Sequence, residues 1–259
     1  MANIGCVRSI ATDGAARAAL DRRWRRLTAA LLLPGALLLG AADLPSRPLN
    51  ADPTFPFSRE IEAFAQADDA GPPVANATLF LGSSSIRLWD IRRGFPDIPT
   101  VNRGFGGATT PDVLHYYARL LPRTEPRSVI VYVGENDLAA GGEPDKVARD
   151  VLTLLGKLRA DYPRAHILYL SLKPSPIRWT LWPKLSAVNE AVARRAGAAT
   201  FDYLDVSHAL LAPDGLPDAS LFRPDGLHMN PRGYALWNAL VEAWLDRAAP
   251  VAPDKKLAS

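Results

Sequence analysis

Asp225-Gly226-Leu227-His228 sets a carboxylate three residues before an imidazole. In a turn, that carboxylate reaches Nδ1 of the ring, fixes its tautomer and leaves Nε2 free as a base. The same letters also suit a capping Asp next to an incidental surface His. Gly82-Ser83-Ser84-Ser85-Ile86 offers hydroxyls that a base of this kind would turn into a nucleophile. A serine-rich turn is equally a common helix cap. It is not the G-x-S-x-G elbow, because Ile86 stands where the second glycine would be. Gly134-Glu135-Asn136-Asp137 ends a very apolar run with polar groups, and the Asn136 amide is a neutral donor suited to a developing oxyanion. Read plainly, it is an Asn/Asp turn, with Asp137 holding the loop rather than acting as an acid. In Asn102-Arg103-Gly104-Phe105-Gly106-Gly107-Ala108-Thr109 the glycines let backbone N–H groups approach a ligand, or serve only the geometry of their own turn. Neither G-x-G-x-x-G nor a Walker pattern is present, which disfavours phosphate binding.

The other ionisable candidates are plainer. His115 falls in an expected helix, His166 opens an expected strand, and His208 follows Asp205 in a Ser-His pair; none is expected to act chemically. No His/Asp/Glu grouping has metal-ligand spacing. Cys6 is the only cysteine, so neither an intrachain disulfide nor a cysteine-based zinc site can form.

Elements that would position these segments are visible in the hydrophobic pattern. Strands are expected at Ala77–Leu81, Thr100–Asn102, Ser128–Val133, His166–Leu170 and Thr200–Leu204. The longer ones are continuous apolar runs, as in a parallel sheet covered on both faces. Helical stripes lie between them: Phe57, Ile61 and Phe64 over 57–69; Val147, Val151, Leu154, Leu155 and Leu158 over 144–160; Leu185, Val188 and Val192 over 183–196. Asn230 and Pro231 are the cap and first residue of a final helix, with Trp237, Leu240, Val241, Trp244 and Leu245 on its apolar face. Strand–helix alternation predicts βαβ units. In such sheets ligands bind past the carboxyl ends of the strands, where all four polar segments fall.

The order of those segments carries a resemblance. GSSS, NRGFGG, GEND and DGLH occur in the sequence and register of the Ser, Gly, Asn and His blocks of the SGNH (GDSL-type) hydrolases, over about residues 78–240. The chain is similar to the bacterial platelet-activating-factor acetylhydrolase-like branch. The resemblance implies a flavodoxin-like three-layer α/β/α sandwich around a parallel sheet of about five strands. It implies Ser84 as nucleophile, His228 as base and Asp225 as its partner, with an oxyanion hole from the N–H groups of Ser84 and Gly107 and the Asn136 amide. Where the family usually has Asp, this chain has Ser83. That leaves Ser83 and Ser85 as neighbouring hydroxyls, set aside on alignment with the family. The implied activity is hydrolysis of carboxylic esters, with short acyl or acetyl esters of small molecules or glycans ahead of long-chain lipid, and no cofactor. O-acyl transfer to a glycan, or noncatalytic glycan binding, are the alternatives. Trp179 and Trp182, after the fourth strand, either line the substrate site or simply pack a loop.

The chain has 259 residues, 48% hydrophobic and 22% charged, which suits a globular domain. Its net charge of +3 is misleading. Residues 1–42 hold six Arg and two Asp, so the rest carries 24 basic against 25 acidic groups. The body therefore gives no electrostatic case for nucleic acid. Arg22, Arg23, Arg25 and Arg26 precede an apolar run from Leu27 to Ala42, with Gly40 and Ala42 in a small-x-small arrangement. This reads as a signal peptide, or as an uncleaved membrane anchor, and so as an exported protein. At 16 residues the run is shorter than the roughly 20 of a spanning helix. Residues 43–56 are expected to be a Pro-rich linker, 57–248 the hydrolase-like domain, and 249–259 a disordered tail.

Overall fold

The computed structural model describes residues 56–248 except Ala198. The leader, nearly all of the linker and the tail expected from the sequence lie outside the described residues. In chain order the elements are α1 (Ser58–Asp69), β1 (Thr78–Gly82), α2 (Ser84–Arg87), α3 (Ile91–Gly94), β2 (Thr100–Gly104), α4 (Thr110–His115), α5 (Tyr117–Leu120), β3 (Ser128–Tyr132), α6 (Glu135–Ala139), α7 (Pro144–Asp161), β4 (His166–Leu170), a 3-10 segment (Pro176–Leu181), α8 (Trp182–Ala193), β5 (Asp202–Leu204) and α9 (Pro231–Ala248). The strands form one parallel sheet in the order β2-β1-β3-β4-β5, the order of flavodoxin-like folds.

Every residue of β1 and β3 is buried, because helices cover both faces. Phe80 and Tyr132 point to one face, where they meet Trp89, Phe95 and, from α9, Trp237. Trp237 is wholly buried there, and Trp89 and Tyr234 lie against it. On α7 the expected stripe of Val147, Val151, Leu154, Leu155 and Leu158 is buried, as are Leu185, Val188 and Val192 on α8, and the two helices pack together. Asn230 caps α9: its Oδ1 accepts from the N–H groups of Arg232 (2.9 Å) and Gly233 (3.2 Å).

The topology fixes where chemistry can occur. β1 and β3 are neighbours, yet the chain leaves β1 for β2 on one side and β3 for β4 on the other. Connections diverge there and open a crevice at the carboxyl ends of the two strands. Register then brings the following loops level: Gly82 pairs with both Gly104 and Tyr132. Ser84, Gly107 and Asn136 follow those residues by two, three and four positions.

Candidate active site

Gly82 makes the first turn. Its φ is +145°, and a Cβ there would lie 2.0 Å from the carbonyl oxygen of Tyr132. The chain therefore passes β3 at a separation open to glycine alone. Ser83 N–H then donates to Tyr132 O at 3.1 Å, and the chain winds into α2. Burial separates the three serine hydroxyls. Ser83 and Ser85 are 3% and 2% exposed, whereas Ser84 is partly exposed. Ser84 Oγ lies 3.0 Å from Nε2 of His228.

His228 comes from a tight loop before α9. Phe222 and Met229 form an antiparallel bridge, Arg223 N–H donates to His228 O at 2.7 Å, and Gly226 turns with φ +63°. Met229 is fully buried and so anchors the backbone next to His228. Nδ1 of His228 lies 2.8 Å from Oδ2 of Asp225. The other oxygen, Oδ1, accepts from the N–H groups of Leu227 and His228, both at 2.9 Å. Desolvation would raise the Asp225 pKa, but the hydrogen bonds from the His228 ring and from these two amides outweigh it and hold the pKa at about 2. Near neutral pH the group is a carboxylate, which orients the ring with Nδ1 protonated.

Of the residues in the glycine loop, Gly107 alone has the open setting expected of a ligand-facing amide. Its φ is +78° and nothing lies within 4 Å of a built Cβ. Gly104 and Gly106 serve packing instead. A Cβ on Gly104 would meet Arg87 N at 2.2 Å, and one on Gly106 would meet the Arg87 guanidinium at 2.8 Å. Asn102 ties the loop to α2, donating to Ile86 O (2.9 Å) and accepting from Gly104 N–H (2.8 Å).

Asn136 is the partly exposed member of its block. Its Nδ2 donates to Ala108 O at 2.9 Å, beside Gly107, and its Oδ1 accepts from Arg178 Nη1 at 3.1 Å. These partners leave no doubt about which end of the amide is which. A carbonyl takes only the NH2 end, and a guanidinium donates only to the oxygen. One Nδ2 hydrogen remains for a ligand. Asp137 holds the loop, as expected: both its oxygens accept Thr110 N–H at 3.0 Å, at the start of α4.

A charged cluster behind Asn136 escapes sequence reasoning. Glu135 is 3% exposed; its Oε2 lies 2.7 Å from Lys173 Nζ and 2.6 Å from the Tyr132 hydroxyl, and its Oε1 lies 3.0 Å from Arg178 Nη1. Burial pushes the Glu135 pKa up, but the charges of Lys173 and Arg178, with the Lys173 and Tyr132 hydrogen bonds, bring it below the ordinary value. The available signal was a Glu closing the most apolar strand and a lone Lys inside the apolar stretch after β4. Asn189 of α8 clamps that stretch, pairing with both backbone groups of Leu172.

Trp179, Trp182 and His208 are the remaining sequence candidates. Trp179 and Trp182 stack on one another, centroids 5.9 Å apart and planes 14° apart, around the 3-10 segment. That segment reaches the His228 loop, since Ile177 N–H donates to Gly226 O at 3.1 Å. His208 pairs through Nδ1 with Asp205, forming a second Asp-x-x-His unit. Its side chain is 75% exposed, against 21% for His228, and among the described residues no serine hydroxyl meets its Nε2.

Solved structures share this fold at low sequence identity. A putative platelet activating factor structure from Streptococcus pneumonia has a TM-score of 0.66 at 20% identity, covering 72% of this chain and 91% of that one. A putative acylhydrolase from Bacteroides fragilis NCTC 9343 scores 0.62 at 16% identity, covering 72% and 95%. A GDSL-like lipase from Bacteroides thetaiotaomicron VPI-5482 scores 0.59 at 18% identity, covering 73% and 98%. Comparison with curated proteins finds no match. The family model for GDSL-like lipases and acylhydrolases matches residues 87–236, from the end of α2 to the middle of α9. With a three-layer α/β/α sandwich and more than half its length matched, the chain belongs to the GDSL-like lipase/acylhydrolase family, a family of ester hydrolases.

Proposed function

We propose that this chain is a serine-dependent carboxylic ester hydrolase acting on short acyl or acetyl esters. The observation that carries the reading is the unbroken chain Ser84 Oγ–His228 Nε2 (3.0 Å), His228 Nδ1–Asp225 Oδ2 (2.8 Å). Ser84 attacks the ester carbonyl and His228 takes its proton. The carbonyl oxygen becomes an oxyanion, met by the N–H groups of Ser84 and Gly107 and the free hydrogen of Asn136 Nδ2. Donors of this kind are worth about 3–4 kcal/mol each, roughly a hundred- to thousandfold in rate. Protonated His228 then gives its proton to the departing alcohol, leaving an acyl group on Ser84. Water, deprotonated by the same imidazole, repeats the sequence and frees the acid. Asp225 keeps its charge throughout and stabilises the imidazolium.

Short acyl groups are proposed because the sequence carries no long lid-like insertion that would build a deep lipid pocket over the partly exposed Ser84. Trp179 and Trp182 are assigned to the substrate side of the site, where a stacked indole pair suits the flat face of a sugar or an aromatic alcohol. The Arg22–Ala42 segment is assigned as an export signal.

The test is a panel of p-nitrophenyl esters of increasing acyl length together with acetylated sugars. Wild-type protein is expected to cleave the short esters, and Ser84→Ala and His228→Ala each to lose at least about a thousandfold in kcat. Equal turnover by Ser84→Ala removes the assignment of the nucleophile.

A further inference from the structure

The triad makes no use of the charges behind Asn136, and their count is uneven. Lys173 alone would balance Glu135: the pair is 2.7 Å apart, with side chains 1% and 4% exposed. Arg178 is a second cation on the same carboxylate, at 3.0 Å and 20% exposed. Within the cluster, one buried carboxylate therefore faces two cations, so Lys173 can hold Glu135 while Arg178 reaches beyond it. The Arg178 Nη1 is also shared, since it donates to Asn136 Oδ1 at 3.1 Å as well as to Glu135. A cation on the amide oxygen draws electron density from the amide and strengthens Nδ2–H as a donor. It also locks the amide, through Arg178 at one end and Ala108 O at the other.

We propose that Arg178 is a positioning residue of the oxyanion hole, acting through Asn136: it holds the amide and strengthens Nδ2–H as a donor to the tetrahedral oxyanion. This rests on the ester-hydrolase reading above. A neutral ester gains little from a stronger and better-held Asn136 donor, whereas its oxyanion gains more. The effect therefore falls on kcat rather than KM. The Arg178 backbone fits this role, because the 3-10 segment that carries it is tied to the His228 loop by the Ile177–Gly226 hydrogen bond.

The experiment compares Arg178→Gln, Arg178→Lys, Asn136→Ala and the Asn136→Ala/Arg178→Gln double variant in the full chain, with p-nitrophenyl acetate. Arg178→Gln is expected to lower kcat by about 10- to 100-fold, with KM shifted less than about threefold. Arg178→Lys keeps the charge but reaches fewer acceptors, and is expected to fall between Gln and wild type. Phosphonylation of Ser84 by a p-nitrophenyl alkylphosphonate should slow in parallel with kcat, because it builds charge on the same oxygen. If Arg178 acts through Asn136, then adding Arg178→Gln to Asn136→Ala costs less than about threefold more. An undiminished kcat in Arg178→Gln, or an equal loss in both backgrounds, overturns the proposal. If Arg178→Gln does not fold, Arg178→Lys alone and on Asn136→Ala decides by the same criterion. Ser84→Ala without turnover beside unaltered Arg178 variants defeats this inference alone; Ser84→Ala with turnover defeats the function as well.

Discussion

Asp225→Asn changes one oxygen to nitrogen, and the turn dictates where that nitrogen lies. Oδ1 accepts from the backbone N–H groups of Leu227 and His228 at 2.9 Å, so the amide oxygen has to stay there. The NH2 then faces His228 Nδ1, 2.8 Å away in the native chain. Because an NH2 only donates, Nδ1 must become the acceptor and the ring proton moves to Nε2. There it points at Ser84 Oγ, 3.0 Å away, and the imidazole can no longer take the serine proton. The opposite flip keeps the tautomer but sets NH2 against two N–H donors, costing about 1–3 kcal/mol for each one left unpaired. The wrong tautomer therefore prevails, with an expected loss of about 10⁴ in kcat, or about 5.4 kcal/mol of transition-state stabilisation. The fold should be little affected, since Asp225 is about half exposed. The assay is kcat/KM on a short p-nitrophenyl ester between pH 5 and 9, with a thermal melt of each protein. A folded Asp225→Asn variant retaining more than a tenth of wild-type turnover refutes the tautomer argument. Asp225 itself does not titrate across this range, because its pKa is held at about 2. A depressed carboxyl pKa adds stability above its ordinary value of 3.8, and that stability is lost as pH falls from there through about 2. Asp225→Asn should accordingly remove part of the acid destabilisation in that window.

Two further substitutions test the framework around the site. Gly82→Ala forces a Cβ to 2.0 Å from Tyr132 O at φ +145°, so a loss above about 4 kcal/mol is expected, a fall in Tm of about 10 °C or more; a near-native melting curve would contradict the close approach of β1 to β3. Lys173→Met takes the closer cation from a carboxylate only 3% exposed and should cost about 3–5 kcal/mol by chemical denaturation. A loss under about 1 kcal/mol would mean that Arg178 alone suffices to hold Glu135 ionised.

Much of the fold was legible because burial on both faces writes itself as continuous apolar runs. β4 matches its expected limits, β3 ends one residue early, and β1 is shifted by one residue at both ends. The edges read less well. β2 runs on to Gly104, past polar residues that have their own partners: Asn102 bonds to Ile86 O, and Arg103 to Asp68 at 2.5 and 2.7 Å. β5 starts at Asp202, two residues later than expected, because Thr200 N–H is spent in a turn on Gly197 O. At the site, each of the four polar segments could be placed because it follows a strand or precedes the last helix, and the family resemblance singled out Ser84, Gly107, Asn136, Asp225 and His228 within them. Among three consecutive serines, burial adds an independent ground for Ser84 that spacing does not encode. The Glu135–Lys173–Arg178 cluster was hidden for a different reason. Its members lie 38 and 43 residues apart, and a charge in an apolar run says nothing of its partner.

The two Asp-x-x-His units show what a local pattern decides and what it leaves to topology. Asp205–His208 and Asp225–His228 both turn so that the carboxylate meets Nδ1. Asp205 is even the more heavily engaged, accepting from the Ser171 hydroxyl and from both the amide and hydroxyl of Ser207. Four residues thus suffice to build an oriented imidazole, twice in one chain. What lies beyond Nε2 is set by strand order. The loop after β5 emerges at the sheet edge, where His208 faces solvent, while the loop before α9 returns to the crevice beside β1. Ser84 waits there because β1 is central and Gly82 turns its chain outward. The Ser84 hydroxyl is delivered by parallel register across β2, β1 and β3, and the motif supplies only the imidazole that meets it.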